Sequence, residues 1–355
     1  MKNFNIKYRN MADAINNEMN LQAEKALDEI FFFNSSESKW IQPALKSKSD
    51  LIRAVKLASD KIDSEKEALI IVVDGELKKL LEFMLIASDS NREIYFLGDS
   101  LSTLEYSKAI KAMNKNDFSV IAISDGNEST EMICAFTLVR KALFKKYSLE
   151  KAQEKIYMIA PNGSSYFMKE AAENKYVRLH YEENVTAPEW LITPAFLLPV
   201  ATMGYNIEEI VDGYEKMATS LIWDNDGSNL ANIMARYTIK TNYSEVEFKP
   251  FIEYIERRLE IGFSFDDNKD SAILDFSLEE TNRDIITPVF PGCNPEGSMK
   301  LMAEDFRARY LDESGEKGYP IVEIRLKELT SNSLGQLLYF MEITIAIKNR
   351  INNLL

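Results

Sequence analysis

The loop that reads ISDGNESTEM, residues 123–132, holds the clearest candidates for chemistry in this sequence. It follows the apolar run FSVIAI and precedes a helical pattern. Such a junction exposes main-chain N–H groups at the positive end of a helix dipole, so phosphate groups bind there in many proteins. This loop, however, contains two acids, Asp125 and Glu128, which repel anions. Its hydroxyl groups come from Ser124, Ser129 and Thr130.

A second acidic turn, VVDGELK, follows the apolar run ALIIVV. Asp74 and Glu76 flank Gly75 there, so an acidic rim of Asp74, Glu76, Asp125 and Glu128 is expected if the two turns meet. The chain has one histidine, His180, in VRLHYEEN. One histidine cannot build a multi-histidine metal site. A lone histidine at the end of a strand is more often a packed or surface residue than a catalytic base.

Composition excludes several classes of function. The 355 residues leave room for two domains, and 46% apolar with 28% charged residues is typical of a globular protein. A formal net charge of −14 opposes nucleic acids and acidic membranes as general partners. The two cysteines, Cys134 and Cys293, have no metal-ligand spacing, and a reducing compartment fits them. MKNFNIKYRN lacks the apolar core of a signal peptide, so we expect a cytoplasmic protein.

The elements that must position these residues alternate between strands and helices. Apolar runs predict strands at 68–73, 92–98, 118–124, 155–161 and 176–181, with an amphipathic helical pattern after each of the first four. This alternation predicts an α/β fold with a mainly parallel sheet between helices. Ligands bind such sheets beyond the carboxyl ends of the strands, where both acidic turns fall.

The flanking segments are less regular. Spacing of apolar residues by three and four predicts helices over 1–35 and over ANIMARYTIKT, residues 231–241. A second, smaller α/β unit is predicted from strands at 271–277 and 319–326 with a helix between them. The predicted domains are an N-terminal helical segment at 1–45, a first domain at 46–190 and a second at 191–355.

Several longer stretches resemble bacterial glucose-6-phosphate isomerases, collinearly from about residue 40 to 355. They are DFSVIAISDGNESTEMICAFTLVRKALFKKYSLEKAQEKIYMIAP, ITPAFLLPVATMGYNIEEIVDGYEKMA and GYPIVEIRLKELTSNSLGQLLYFMEITIAI. The resemblance implies two sugar-isomerase (SIS) domains, a sugar phosphate or other small polar ligand, and a homodimer. It implies no cofactor. Carried over by position, the ligand-binding residues are Gly75, Glu76, Ser124, Asp125, Gly126, Asn127, Glu128, Ser129 and Thr130.

The same comparison reveals departures in the turns that hold the substrate. The family's GIGGS turn reads VVDGELK here and keeps only Gly75. Its phosphate loop, SKSGTTTE, aligns without gaps to Ser124–Glu131, where a lysine, a serine, a glycine and a threonine become Asp125, Gly126, Asn127 and Glu128. A unit-charge pair at about 4 Å costs roughly 1 to 4 kcal/mol. The altered loop is therefore expected to weaken phosphate binding, while its acids serve as helix caps and dipole partners.

The catalytic positions of the family also differ. Its arginine before LTP falls at Pro188, and its catalytic glutamate falls at Phe263, or at Phe265 with a different gap. Its ring-opening histidine has no counterpart in SLEETNRDII. The family's lysine lies beyond IAIKNRINNLL, where this sequence ends. Trp190 stands where the family has a small residue in the cleft.

Three interpretations follow. The first is a non-catalytic homologue with a binding or regulatory role. The second is an active isomerase of glucose 6-phosphate, fructose 6-phosphate or another sugar phosphate, with substitutes such as Glu76, Glu128, His180 or Glu189 converging on one cleft. The third is a site for a cationic or neutral ligand at the acidic rim, where a metal ion is conceivable, although no known metal-binding loop has this spacing.

Overall fold

The computed structural model describes residues 4–11, 25, 49–64, 68–161, 163, 165–181, 191–222, 231, 234, 238–242, 248–259, 271–278 and 299–354. Contacts divide the chain into two units. One comprises Gln42–Val211, and the other combines Met1–Ile41 with Asp212–Leu355. The predicted domain boundaries at residues 46 and 191 stay predictions.

The elements follow in chain order. They are β1 (Phe4–Arg9), α1 (Ser49–Ser64), β2 (Ala68–Val72), α2 (Gly75–Ala87), β3 (Ile94–Leu97), α3 (Thr103–Lys115), β4 (Phe118–Ile123), α4 (Thr130–Lys146), α5 (Leu149–Glu154), β5 (Ile156–Pro161), α6 (Tyr166–Asn174), β6 (Val177–Tyr181), α7 (Pro194–Thr202), α8 (Ile207–Ile222), β7 (Thr238–Asn242), α9 (Lys249–Leu259), β8 (Ser271–Leu278), α10 (Met299–Glu316), β9 (Ile321–Leu326) and α11 (Ser331–Leu354).

The unit at 42–211 is built on a five-stranded sheet in the order β3-β2-β4-β5-β6, with every neighbouring pair parallel. All residues of β2 and β4 are buried, because helices cover both faces of a parallel sheet. The predicted strands of this unit are confirmed to within two residues at each end. Its α/β class is confirmed with them.

Helices fix the orientation of the strand ends. The buried face of α4 presents Met132, Phe136 and Val139 to a core formed with β2, β4 and β5. Phe136 packs against Phe167 of α6 with ring centroids 5.3 Å apart. The fully buried ring of Phe136 thereby holds α4 and α6 side by side, and with them the loops that precede both helices.

The other unit contains a smaller mixed sheet in the order β1-β9-β8-β7. Strands β7, β8 and β9 are parallel, whereas β1 is antiparallel to β9. The helix predicted over 1–35 is therefore wrong for Phe4–Arg9. FNIKYR alternates apolar and polar residues, a strand period, and its partner lies more than three hundred residues away. Residues 12–24 and 26–48 lie outside the described part of the chain.

The helix predicted over 231–241 is wrong at its C-terminal end. Thr238–Asn242 forms β7, which pairs with β8. Two threonines and an isoleucine in TIKTN favour an extended backbone, since β-branched side chains lose more rotamer freedom in a helix. Among the described helices, none has the length and apolar character needed to cross a bilayer.

Candidate functional site

A cavity of about 260 Å³ opens at the carboxyl ends of β2 and β4. Adjacent parallel strands end together there, so the turns that follow them meet at one edge of the sheet. The cavity is lined by Val73, Asp74, Gly75, Glu76, Leu77, Ile123, Ser124, Asp125, Tyr181 and Ala195. Both acidic turns of the sequence therefore contribute to one site.

The turn between β2 and α2 places Asp74 and Glu76 at the cavity. Gly75 adopts φ +63°, a left-handed conformation that glycine accommodates without strain. Its N–H donates to Asp99 Oδ1 over 3.1 Å. Asp99 also pairs with the buried Lys78, whose Nζ is 3.5 Å from Oδ2. The Lys78 ammonium is thus paired with Asp99, and Lys78 is not among the residues that line the cavity.

Local hydrogen bonds shape the loop between β4 and α4. Ser124 Oγ accepts the N–H of Gly126 over 2.9 Å, and Asp125 Oδ1 accepts the N–H of Asn127 over 2.9 Å. Short polar side chains commonly close turns in this way. From the edge strand β6, the Tyr181 hydroxyl donates to the Ser124 carbonyl over 2.8 Å. Ser124 and Asp125 are thereby held at the cavity wall.

The start of α4 is joined to the other turn by one hydrogen bond. Ser129 is the N-cap, and its Oγ accepts the N–H of Met132 over 3.2 Å. The same hydroxyl donates to Asp74 Oδ2 over 2.8 Å. A carboxylate of the chain itself therefore lies beside the N-terminus of α4, where the helix dipole favours negative charge.

The pKa of Asp74 is raised above its ordinary value, chiefly because burial disfavours the charged carboxylate. The hydrogen bond from Ser129 opposes this rise, while the negative charges of Asp125 and Asp99 add to it. The Asp74 carboxyl group thus lies in an environment that already contains two further acidic side chains, those of Asp125 and Asp99. Anionic groups entering the cavity meet this field.

Glu128 lies elsewhere. Its carboxylate accepts the N–H groups of Tyr166 and Phe167, over 3.3 and 3.1 Å, at the N-terminus of α6. It is not among the cavity-lining residues. The expectation that the acids of this loop cap helices is met by Glu128, although the helix is α6 rather than the adjacent α4.

The remaining predicted residues are not brought together. Asn127, Ser129 and Thr130 belong to the loop and the start of α4 but do not line the cavity. His180 is exposed on β6, and alternation along the strand points it away from the buried Tyr181. Glu189, Pro188, Trp190, Phe263 and Phe265 lie outside the described residues.

Sequence reasoning missed Tyr181, Ala195 and Asp99. Tyr181 ends a predicted strand of the same parallel sheet, at the carboxyl edge where the two loops also lie, and that position was the available signal. Within the described part of the chain, no three His, Cys, Asp or Glu side chains have a geometry suited to a metal ion.

Comparisons with known proteins place this geometry in context. No family model matches the chain. Glucose-6-phosphate isomerase from Enterococcus faecalis is 24% identical over 384 residues, covering 93% of this chain and 85% of the relative. The Fusobacterium nucleatum enzyme is 23% identical, covering 98% and 90%. The homology is therefore distant but nearly full-length.

Solved structures share the fold. A glucose-6-phosphate isomerase from Chlamydia trachomatis superposes with a TM-score of 0.72 at 12% identity, covering 99% of this chain and 84% of that one. A hypothetical protein from Thermus thermophilus gives 0.79 at 11% identity, covering 98% and 94%.

Proposed function

We propose that this chain, a distant homologue of the bacterial glucose-6-phosphate isomerases, is a non-catalytic member of that group. In this proposal the cavity at the carboxyl ends of β2 and β4 binds a small polar ligand and disfavours sugar phosphates. The observation that carries the proposal is the Asp74 carboxylate, which lines the cavity and accepts a hydrogen bond from the N-cap of α4.

Electrostatics support exclusion of a phosphate ester. Among the described residues, the cavity is lined by three acidic residues, Asp74, Glu76 and Asp125, and by no Lys, Arg or His. A sugar phosphate carries nearly two negative charges at neutral pH. Each unit-charge pair at about 4 Å costs roughly 1 to 4 kcal/mol, depending on screening. One such pair lowers affinity by about one to three powers of ten.

Occupied helix termini add to this argument. In many phosphate sites the anion takes hydrogen bonds at a helix N-terminus. Here Asp74 accepts the hydroxyl proton of Ser129, the N-cap of α4, and Glu128 accepts two N–H groups of α6. Carboxylates of the chain therefore already satisfy donors that a phosphate requires.

The positions that the resemblance assigns to the family's catalytic groups also support the proposal. Isomerisation of an aldose to a ketose needs a base beside C1 and C2 and an acid for ring opening. The resemblance assigns the family's glutamate to Phe263 or Phe265 and finds no aligned histidine. Each acid–base role contributes roughly 10²- to 10⁴-fold to rate, so the joint loss leaves little turnover.

The second candidate is an active isomerase with a rebuilt site, favoured by one observation. Asp74 has a raised pKa and lines the cavity, and a carboxylate with a raised pKa serves as a general base in many enzymes. In this alternative Asp74 or Glu76 abstracts the proton from an aldose or ketose phosphate.

A steady-state assay separates the two. Purified full-length protein is supplied with fructose 6-phosphate, and formation of glucose 6-phosphate is followed through a coupling dehydrogenase, with the Enterococcus faecalis enzyme as positive control. We expect no turnover above the background rate. Calorimetric titration with 6-phosphogluconate is expected to show no binding. Turnover in the range of ordinary enzymes, abolished by Asp74→Asn, would establish the rebuilt-site alternative instead.

A further inference from the structure

The cavity contains a buried hydroxyl whose proton has no acceptor in the described part of the chain. Ser124 is only 3% exposed and lines the cavity. Its Oγ accepts the Gly126 N–H, which leaves the O–H hydrogen to be donated. A hydroxyl that accepts one hydrogen bond can also donate one, so Ser124 has a proton to offer a ligand acceptor in the cavity.

The first turn of α2 lies at the same cavity. Asp74 occupies the N-cap position but gives α2 no side-chain cap, because its carboxylate is turned to Ser129. The first N–H groups of a helix have no partner within the helix. Asp99 accepts the Gly75 N–H of this turn, and Leu77 lines the cavity, so the positive end of the α2 dipole lies at the cavity edge.

Hydrogen-bond acceptors also line the cavity. Asp74 and Asp125 present carboxylates to the same space as the Ser124 hydroxyl and the start of α2. Ligands that both donate and accept hydrogen bonds use all of these groups. An ammonium ion uses only the carboxylates and leaves the donors unused, whereas a phosphate uses the donors and is repelled by the carboxylates. Hydroxyl groups of an uncharged sugar do both.

We propose that this cavity binds an uncharged monosaccharide or polyol, with Ser124 donating to a ligand oxygen and Asp74 and Asp125 accepting from ligand hydroxyls. The cavity volume of about 260 Å³ suits a ligand as small as a monosaccharide, because pockets for larger, drug-sized ligands measure roughly 300 to 1,000 Å³. Val73, Ile123 and Ala195 supply apolar wall for the C–H faces of a sugar. The inference rests on the proposed function, because it names the ligand class of that site.

The experiment compares matched ligands on the full-length protein. Binding of glucose, fructose and glucitol is measured by ligand-observed NMR and calorimetry to about 10 mM, beside glucosamine and the 6-phosphates of glucose and fructose. We expect at least one uncharged ligand to bind more tightly than its phosphorylated or amino counterpart. Equal or tighter binding of the 6-phosphate, preference for glucosamine, or no binding of any uncharged ligand would overturn the inference.

A pair of serine variants tests the role of Ser124. Ser124→Ala is expected to weaken sugar binding roughly fivefold, the equivalent of one hydrogen bond, while Ser124→Thr retains a hydroxyl and most of the affinity. Ser148→Ala is the matched control, because Ser148 Oγ also accepts one main-chain N–H, from Lys151, but does not line the cavity. Equal binding by Ser124→Ala and Ser148→Ala would count against the assigned donor.

Failure of the two proposals can be told apart. Turnover of fructose 6-phosphate by the wild-type chain contradicts the non-catalytic function, whatever the sugar titrations show. An inactive chain that binds no uncharged sugar leaves the non-catalytic function standing and removes only the ligand class. The ranking of wild-type affinities needs no variant, so it decides the inference even if Ser124→Ala fails to fold.

Discussion

The two sheets of this chain bury different kinds of side chain. In the five-stranded sheet, β2 is wholly apolar and β4 has Ser119 as its one polar residue. In the mixed sheet, β8 and β9 carry Asp275 and Glu323, each 0% exposed and opposite one another in register. The central strands of the five-stranded sheet are therefore almost entirely apolar, whereas those of the mixed sheet bury two acidic side chains.

Guanidinium groups accompany the buried acids of the mixed sheet. Both carboxylate oxygens of Glu323 form ion pairs: Oε1 lies 2.7 Å from Arg9 Nε, and Oε2 lies 2.5 Å from Arg325 Nη2. Arg307 Nε lies 3.7 Å from Asp275 Oδ1. Arg9 belongs to the edge strand β1 and Arg307 to α10, so these ion pairs link a neighbouring strand and a helix to the buried acids of β9 and β8. Polar groups of the other sheet collect instead at its carboxyl edge, where they line a cavity.

The largest expected effect lies in the apolar sheet. Ile121→Ala in β4 removes a fully buried side chain and leaves a cavity, so we expect unfolding free energy to fall by about 2–5 kcal/mol. Urea denaturation measures it. Leu57→Ala on α1, where the side chain is 65% exposed, is the control and should change stability by less than about 0.5 kcal/mol. Equal losses in the two variants would contradict the full burial of β4 described above.

The mixed sheet is tested by removing one buried charge. Glu323→Gln leaves Arg9 and Arg325 without their buried counter-ion, and we expect a loss of about 1–3 kcal/mol. Asp312→Asn removes an exposed carboxylate that also contacts Arg9, so it should cost less than about 1 kcal/mol. A loss from Asp312→Asn as large as that from Glu323→Gln would contradict the distinction between the sheets.

The carboxyl edge of the first sheet depends on Ser129. Ser129→Ala removes the N-cap of α4 and the donor to Asp74, so thermal unfolding should report a loss of about 0.5–2 kcal/mol. Ser165→Ala removes a comparable N-cap from α6 without touching Asp74. A smaller loss from Ser129→Ala than from Ser165→Ala would indicate that the bond to Asp74 contributes nothing.

The smallest expected effect concerns the charge of Asp74. Its raised pKa means that the folded chain binds this proton more tightly than the unfolded chain, so stability from this group declines as pH rises through the folded pKa. Asp74→Asn should therefore stabilise the protein most near neutral pH. The difference should vanish below the unfolded pKa of about 3.9. Stability curves across pH that run parallel for the two proteins would contradict this.

Most strands of the five-stranded sheet could be predicted from the local pattern of apolar and polar residues. Buried runs such as ALIIV and FSVIAI are bounded by polar turns, so their ends were predicted to within two residues. Strands β1 and β7 were missed because each depends on a distant partner, and their short alternating or β-branched segments lie beside helical patterns. Long-range pairing overrode local spacing in both places.

The location of the site could be predicted from the sequence, but the orientation of its side chains could not. Parallel strands bring their carboxyl ends together, which located Asp74, Glu76, Ser124 and Asp125 at one edge. Glu128 has the same residue type and lies in the same loop, yet its carboxylate faces the N-terminus of α6. That choice depends on side-chain rotamer and on the packing of α6 beside α4, which spacing along the chain does not encode.

The most direct test of the account asks whether carboxylates at the cavity exclude phosphate. Wild type and Asp74→Asn/Asp125→Asn are titrated calorimetrically with 6-phosphogluconate at low ionic strength, where charge repulsion is least screened. The account predicts no detectable binding by wild type and measurable binding by the double variant, with an affinity at least about tenfold above the detection limit set by wild type. Tight binding by wild type, or no gain from neutralising both carboxylates, would contradict it.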